Sequence, residues 1–309
     1  MESARSHAAQ VGVVAQFGLL ALAWGSSFLF IKICLDGLSP VQVVVGRMVF
    51  GAVLLGAIML VTRRRIPRDP SLWGHLTVVS QLLCVLPFTL FAWAEQEISS
   101  GLASIYNATT PLTTLAFATV VLSAERLTRD RGTGLVFGFV GVLVIVGPWS
   151  IGSGDSGLLP QLACLAATTS YGLAFVYLRR FVTGRGVPAV TVAFVQVTAG
   201  AVVMVLLTPL VARTPVQLTS SVVLSMVALG AASTGLAYVW NTNVVEAWGA
   251  ANTAAVTYLT PVVGVVLGIL VLREPLTWNQ PVGAGLVIAG ILAAHGRLRR
   301  AAVSRRGRS

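Results

Sequence analysis

Hydrophobic positions along this chain come in long unbroken runs, separated by charges or by clusters of Gly, Pro and Ser. The runs fall near 11–33, 41–61, 73–94, 99–122, 131–148, 157–178, 188–210, 220–241, 248–271 and 278–296. Each approaches the roughly 20 residues a helix needs to cross a hydrocarbon core of about 30 Å. The pattern predicts an all-α polytopic membrane protein with ten transmembrane helices. Several runs contain Gly or Pro, which membrane helices tolerate when neighbours satisfy the freed backbone groups. The first run passes an Ala-Leu-Ala reminiscent of a signal-peptidase site, yet it extends from Val11 to Ile33. That is too long for a signal h-region, so it reads as a retained span.

Composition agrees. The 309 residues are 56% hydrophobic and only 10% charged, against about 25% charged in soluble domains. One soluble core could not hide so much apolar surface. A formal net charge of +11 and the tail "RLRRAAVSRRGRS" raise the question of nucleic acid as a partner. The positions of the charges answer it, because they sit in the short connections. With the N-terminus inside, the inner segments hold Arg5; Arg63, Arg64, Arg65 and Arg68; Arg126, Arg129 and Arg131; Arg179, Arg180 and Arg185; and the tail arginines 297–308. These are 17 of the 21 basic residues, while Arg213 and Arg273 lie outside. This positive-inside bias predicts both termini in the cytoplasm and a cell-membrane location, with no nucleic-acid partner. Cys34, Cys84 and Cys164 fall in separate runs and suit neither a disulfide framework nor a metal site.

An internal echo organises the chain. "AERLT" at 124–128 returns as "LREPLT" at 272–277, pairing Glu125 with Glu274 at an offset of 149. Gly134 then pairs with Gly283, Gly141 with Gly290 and Gly147 with Gly296. Upstream, Thr110 and Pro111 match Thr260 and Pro261, "AWG" at 23–25 matches "SYG" at 170–172, and Pro40 matches Pro188. Two repeats follow, 11–148 (spans one to five) and 157–296 (spans six to ten), flanked by an N-terminal segment 1–10 and a basic tail 297–309. An odd number of spans inverts the second copy, the architecture of alternating-access transporters with a site near the midplane. The Glu of each echo reads as a cap of the following helix or a partner of Arg126 or Arg273, rather than as a substrate ligand.

"AWGSSFLFIK" in span one, "GRMVFGAVLL" in span two, and two copies of Thr-Pro, apolar run, Glu-x-Leu-Thr and Gly-x6-Gly carry a resemblance. The chain resembles the EamA family of the drug/metabolite transporter superfamily from about Val11 to Gly296. The resemblance implies a ten-span secondary transporter, most often an exporter of small metabolites such as amino acids, nucleosides or drug-like compounds. It also implies protons as a coupling ion, no cofactor, and a monomer or homodimer in the bilayer. A channel or a lipid-flipping protein would use similar architecture. Span seven, "AVTVAFVQVTAG", departs from the first copy in having no Arg to match Arg47.

Candidate substrate contacts come from polar positions inside the runs. In span four, Ser100, Ser104, Asn107, Thr110 and Thr114 recur on one helical face; in span nine, Thr253, Thr257, Thr260, Gly264 and Gly268 do so. Such a stripe serves either helix packing or cavity lining. The expected contacts are Asn107, Thr110, Thr257 and Thr260 from these spans, Trp24 and Ser27 from span one, Tyr171 from span six, and Tyr238 and Asn241 from span eight, beside Thr234. Arg47 completes the set, about 9 Å deep in span two by helical rise, where an Arg is functional or holds the fold. Trp73, Trp149 and Trp278 read as interfacial belt, and Trp93 and Trp240 as belt or gate. Lys32 reads as snorkelling outward near Asp36. Glu95, Glu97, Glu246 and His295 read as interfacial, so the residues themselves name no proton carrier. No Gly-x-Ser-x-Gly, His-Glu-x-x-His or phosphate loop suggests an enzyme, and the three His are scattered, so no metal site is expected.

Overall fold

The computed structural model of the protein describes residues 2–121, 128–147, 157–211, 214–248, 253 and 256–294, the side chains of 2–10, 210, 211 and 294 excepted. Glu125, Arg126, Trp149, Arg213, His295 and the basic tail lie outside the described residues. Among those described, every regular element is a helix. In chain order they are α1 (Glu2–Cys34), α2 (Pro40–Val61), α3 (Pro70–Ser80), α4 (Leu86–Ala94), α5 (Ser100–Asn107), α6 (Thr110–Val121), α7 (Arg129–Val146), α8 (Leu158–Phe181), α9 (Ala189–Val211), α10 (Ser220–Val227), α11 (Ala237–Trp248), α12 (Val256–Leu272) and α13 (Asn279–Ala294). Helix starts are capped as their sequences require. Ser39 and Gln42 close a reciprocal box at α2, and Asp69, Ser99, Thr128 and Thr219 accept from first-turn N–H groups at α3, α5, α7 and α10.

Among the described residues, six stretches are long and apolar enough to cross a membrane: Val11–Cys34, Pro40–Val61, Pro70–Ala94, Leu158–Phe181, Ala189–Pro209 and Ser220–Trp248. Val256–Leu272 and Asn279–Ala293 are apolar but shorter. The run expected as one span over 99–122 is interrupted at Ala108 and Thr109, just ahead of Pro111, so that α5 and α6 meet at a break. Pro111 has no N–H to donate to the Asn107 carbonyl four residues back, and its ring crowds that carbonyl, so the helical ladder cannot run on unbroken there.

Two further interruptions match across the repeats. Gln81–Val85 joins α3 to α4, and Ala228–Leu236 joins α10 to α11, each as a π-helical segment. Wider π turns free carbonyls from the ladder. Leu82 and Leu229, separated by the repeat offset of 147, each take up a hydroxyl: Ser170 Oγ donates to the Leu82 carbonyl at 2.7 Å and Thr234 Oγ1 to that of Leu229 at 3.3 Å.

Repeat-equivalent helices pack on one another and run antiparallel. α2 lies on α9, with Thr191 near the start of α9 donating to the Met59 sulfur near the end of α2 at 3.6 Å. α7 lies on α13: Asn279 reaches the carbonyls of Val144 and Ile145, while Gly134 meets Gly290 and Gly141 meets Gly283. The repeat offset converts the first glycine contact into the second. The packing of α1 against α12 obeys the same exchange, since it corresponds to that of α8 against α6.

Candidate functional site

A cavity of about 1000 Å³, counting its mouth, lies where the repeats face each other. All ten residues singled out from the sequence line it: Trp24, Ser27, Arg47, Asn107, Thr110, Tyr171, Tyr238, Asn241, Thr257 and Thr260. Phe28, Ile31, Leu83, Phe88, Phe91, Phe175, Ser233 and Thr234 complete the wall. Asn107 reaches it because it is the last residue of α5, at the break. Thr110 opens α6 on the other side of that break, and its hydroxyl is buried without a partner among the described residues.

The lining is paired by the repeat relation. Trp24 and Tyr171 face the same space, as do Phe28 and Phe175, Phe91 and Tyr238, Asn107 and Thr257, and Thr110 and Thr260. The sequence echo was sufficient to find the first and the last two of these pairs. Applying the 147-residue offset to Phe28 and to Phe91 was the unused signal for the others. Gln196 was missed as well. Buried in α9, it donates from Nε2 to Tyr238 Oη at 2.9 Å. The spacing from Gly51 to Gly200, 149 residues, makes Gln196 the counterpart of Arg47.

Arg47 is buried and turned inward. Its Nε donates to Thr234 Oγ1 at 3.0 Å, and its guanidinium carbon sits 3.7 Å from the Phe88 ring centroid. It bonds no backbone carbonyl among the described residues, so a multi-carbonyl clamp is not its role here. The polar stripes divide their labour. Asn107, Thr110, Thr257 and Thr260 line the cavity, whereas Ser100 and Ser104 pack where Gly268 and Gly264 of α12 leave room. Thr114 donates to the Thr110 carbonyl.

Beyond Ile31 and Phe91 the path is filled. Cys34, Ala94, Glu95 and Ile98 are buried, and Lys32 Nζ donates to the carbonyls of Glu95 and Ile98, the second at 2.9 Å. Lys32 therefore ties α1 to the α4–α5 connection instead of snorkelling beside Asp36, because freed carbonyls at the end of α4 lie within its reach. Glu95, read as interfacial, is fully buried in protein, and neither of its carboxyl oxygens has a donor among the described residues, while Glu97 and Glu246 are exposed. A second hollow, lined by Leu35, Asp36, Gly37, Gln96 and Gln217 among others, opens among the loops at that end. Ile31 lines the cavity and Leu35 the hollow, so a single helical turn separates them. Trp240 packs on Leu20, Ala21 and Ala23, and Trp73 donates to the Pro67 carbonyl at 2.8 Å.

Apolar helices in two antiparallel-paired copies around a central cavity define a multi-pass membrane transporter fold. The chain belongs to the EamA-like transporter family, whose model matches residues 13–147 and 158–294, one match per repeat. It is 28% identical over 287 residues to a Salmonella typhimurium protein named "Probable amino-acid metabolite efflux pump", covering 88% of this chain and 91% of that one. It is 24% identical over 276 residues to the "Uncharacterized transporter YoaV" of Bacillus subtilis, covering 88% and 92%. A solved crystal structure shares the fold at a TM-score of 0.66 and 19% identity, over 94% of this chain and 98% of the other.

Proposed function

We propose that the protein is a ten-span secondary transporter, built from inverted repeats 11–148 and 157–296, that exports small metabolites by alternating access. Trp24, Ser27, Arg47, Asn107, Thr110, Tyr171, Tyr238, Asn241, Thr257 and Thr260 are its proposed substrate contacts. The observation that carries this reading is the pairing of the cavity wall across the repeats, together with the one-turn barrier that closes it at the Lys32 end. Exchanging the two repeat conformations would open that barrier and close the opposite end, which is how an inverted pair alternates. The barrier also speaks against a continuous channel. The proposed topology places both termini in the cytoplasm, so this state is closed toward the outside. Export is favoured by the efflux pumps among its relatives, and proton antiport is the proposed coupling.

The test is a transport screen in intact cells with and without the protein, over amino acids, organic carboxylates, nucleosides and toxic cations. Expected is reduced accumulation of one class, abolished by a protonophore and by Asn107→Leu in correctly inserted protein. Protection or efflux of no compound, with the protein verified in the membrane, would sink the proposal.

A further inference from the structure

The cavity contains a cation without a counter-ion. Among its lining residues Arg47 alone carries a full charge near neutral pH, and no carboxylate among the described residues lies within ion-pair distance of it. Thr234 occupies only Nε, and Phe88 covers one face of the guanidinium. The terminal nitrogens have no protein acceptor among the described residues. The buried acid Glu95 does not line the cavity. The other polar groups facing the space, including the carboxamides of Asn107 and Asn241, are neutral, and neither carboxamide bonds to protein among the described residues. Trp24, Phe28, Phe91 and Tyr171 supply flat apolar walls.

We infer, resting on the transporter reading above, that this site takes a monoanionic organic carboxylate with a flat apolar body and selects against amines and zwitterions. An unpaired guanidinium away from bulk water is costly, and a ligand carboxylate supplies the missing partner. The planar fork matches two carboxylate oxygens, which a point-charge ammonium would not. A ligand ammonium meets the opposite situation. The cavity offers it no carboxylate, and Arg47 repels it in a medium where Coulomb forces are weakly screened. Selectivity thus comes from the absent acid as much as from the present base. Amino acids whose ammonium has been removed or masked by acylation belong to the favoured class; free amino acids do not.

The experiment uses one carbon skeleton in four charge states. Purified full-length protein in detergent, monodisperse by size exclusion, is titrated calorimetrically with 3-phenylpropanoate, 3-phenylpropanamide, 3-phenylpropylamine and phenylalanine. The propanoate is expected to bind roughly tenfold to a hundredfold tighter than each of the others. Arg47→Gln is expected to erase that preference by weakening the propanoate far more than the amide, and Arg47→Lys to restore part of it. The wild-type series alone decides the matter if Arg47→Gln does not fold. Equal or tighter binding of the amide, the amine or phenylalanine overturns the charge class and leaves the transporter reading standing. Binding of none of the four overturns the cavity as a binding site, and the inference with it.

Discussion

Glu274, in the loop that follows α12, accepts hydrogen bonds from the backbone N–H of Ser100 at 2.7 Å, from Ser100 Oγ at 2.9 Å and from the N–H of Gly101 at 3.0 Å. The charge conserved in the echo between the repeats therefore caps a helix, but not the one that follows it and not in its own repeat. It forms no ion pair with Arg273 among the described residues. Its carboxylate sits on the N-terminus of α5, where two orphan backbone N–H groups, the Ser100 hydroxyl and the positive end of the helix dipole meet it. Arg273 enters the left-handed region, with φ 55°, to turn the chain so that Glu274 can reach. The contact fastens the second repeat to the first at the closed end of the cavity.

Glu274→Ala is accordingly expected to lower stability by about 2 kcal/mol, since it removes charge-assisted bonds and leaves buried donors. Thermal unfolding of purified protein measures it. Glu274→Gln keeps one acceptor oxygen and should lose less. An unchanged melting temperature for Glu274→Ala would show that the cap contributes nothing.

The α7–α13 seam gives a steric prediction. A Cβ on Gly141 would stand 2.8 Å from both the Gly283 carbonyl oxygen and the Val287 nitrogen, backbone atoms that cannot swing aside. Gly141→Val should force the helices apart and destabilise by about 3 kcal/mol or more. Gly132, on the same helix with nothing within 4 Å of its would-be Cβ, is the control and should accept alanine without loss. Equal melting temperatures for the two variants would contradict the seam.

Why the sequence disclosed so much of this follows from the repeat. Duplication marks positions such as Thr110 and Thr260 twice, and apolar runs declare their helices by length alone. What stayed hidden depends on backbone detail that residue type does not report. Whether Ser100 packs or lines is decided by the break at Ala108 and by the room left at Gly268. Lys32 looked like a snorkel because nothing in sequence places the carbonyls of Glu95 and Ile98 beside it. Gln196 escaped because a small change of offset separates it from the alignment set by Pro40 and Pro188.

Glu95 supplies a pH signature. It stands one residue past the apolar stretch Pro70–Ala94. Burial raises its carboxyl well above the ordinary value of 4.5, with Lys32 opposing and Glu274 adding to the rise. A carboxyl that holds its proton more tightly when folded contributes full stability below its unfolded value, and that contribution is lost as pH climbs toward the folded one. Melting temperature should therefore fall as pH rises above about 4.5, and Glu95→Gln, which cannot ionise, should flatten that slope. An unaltered slope in Glu95→Gln would assign the pH response elsewhere.

The barrier itself can be read through a thiol already in place. Cys34 is fully buried in the turn that separates the cavity from the loop-lined hollow, and its sulfur lies 3.8 Å from the Val222 carbonyl. In a Cys84→Ala, Cys164→Ala background it becomes the sole cysteine of the chain. A membrane-impermeant maleimide should label it slowly, at a rate set by the population in which this end opens. Lys32→Met keeps the apolar stem and deletes the ammonium that holds the carbonyls of Glu95 and Ile98. Hydrogen bonds to a charged donor contribute about 1.5–3 kcal/mol, so the open population and the labelling rate should rise roughly tenfold or more. The side of entry tests the proposed topology as well. Under that topology the Cys34 end faces outward, so intact cells should show the acceleration. Labelling confined to inverted vesicles would reverse the orientation, and a rate unmoved by Lys32→Met from either side would remove Lys32 from the gate.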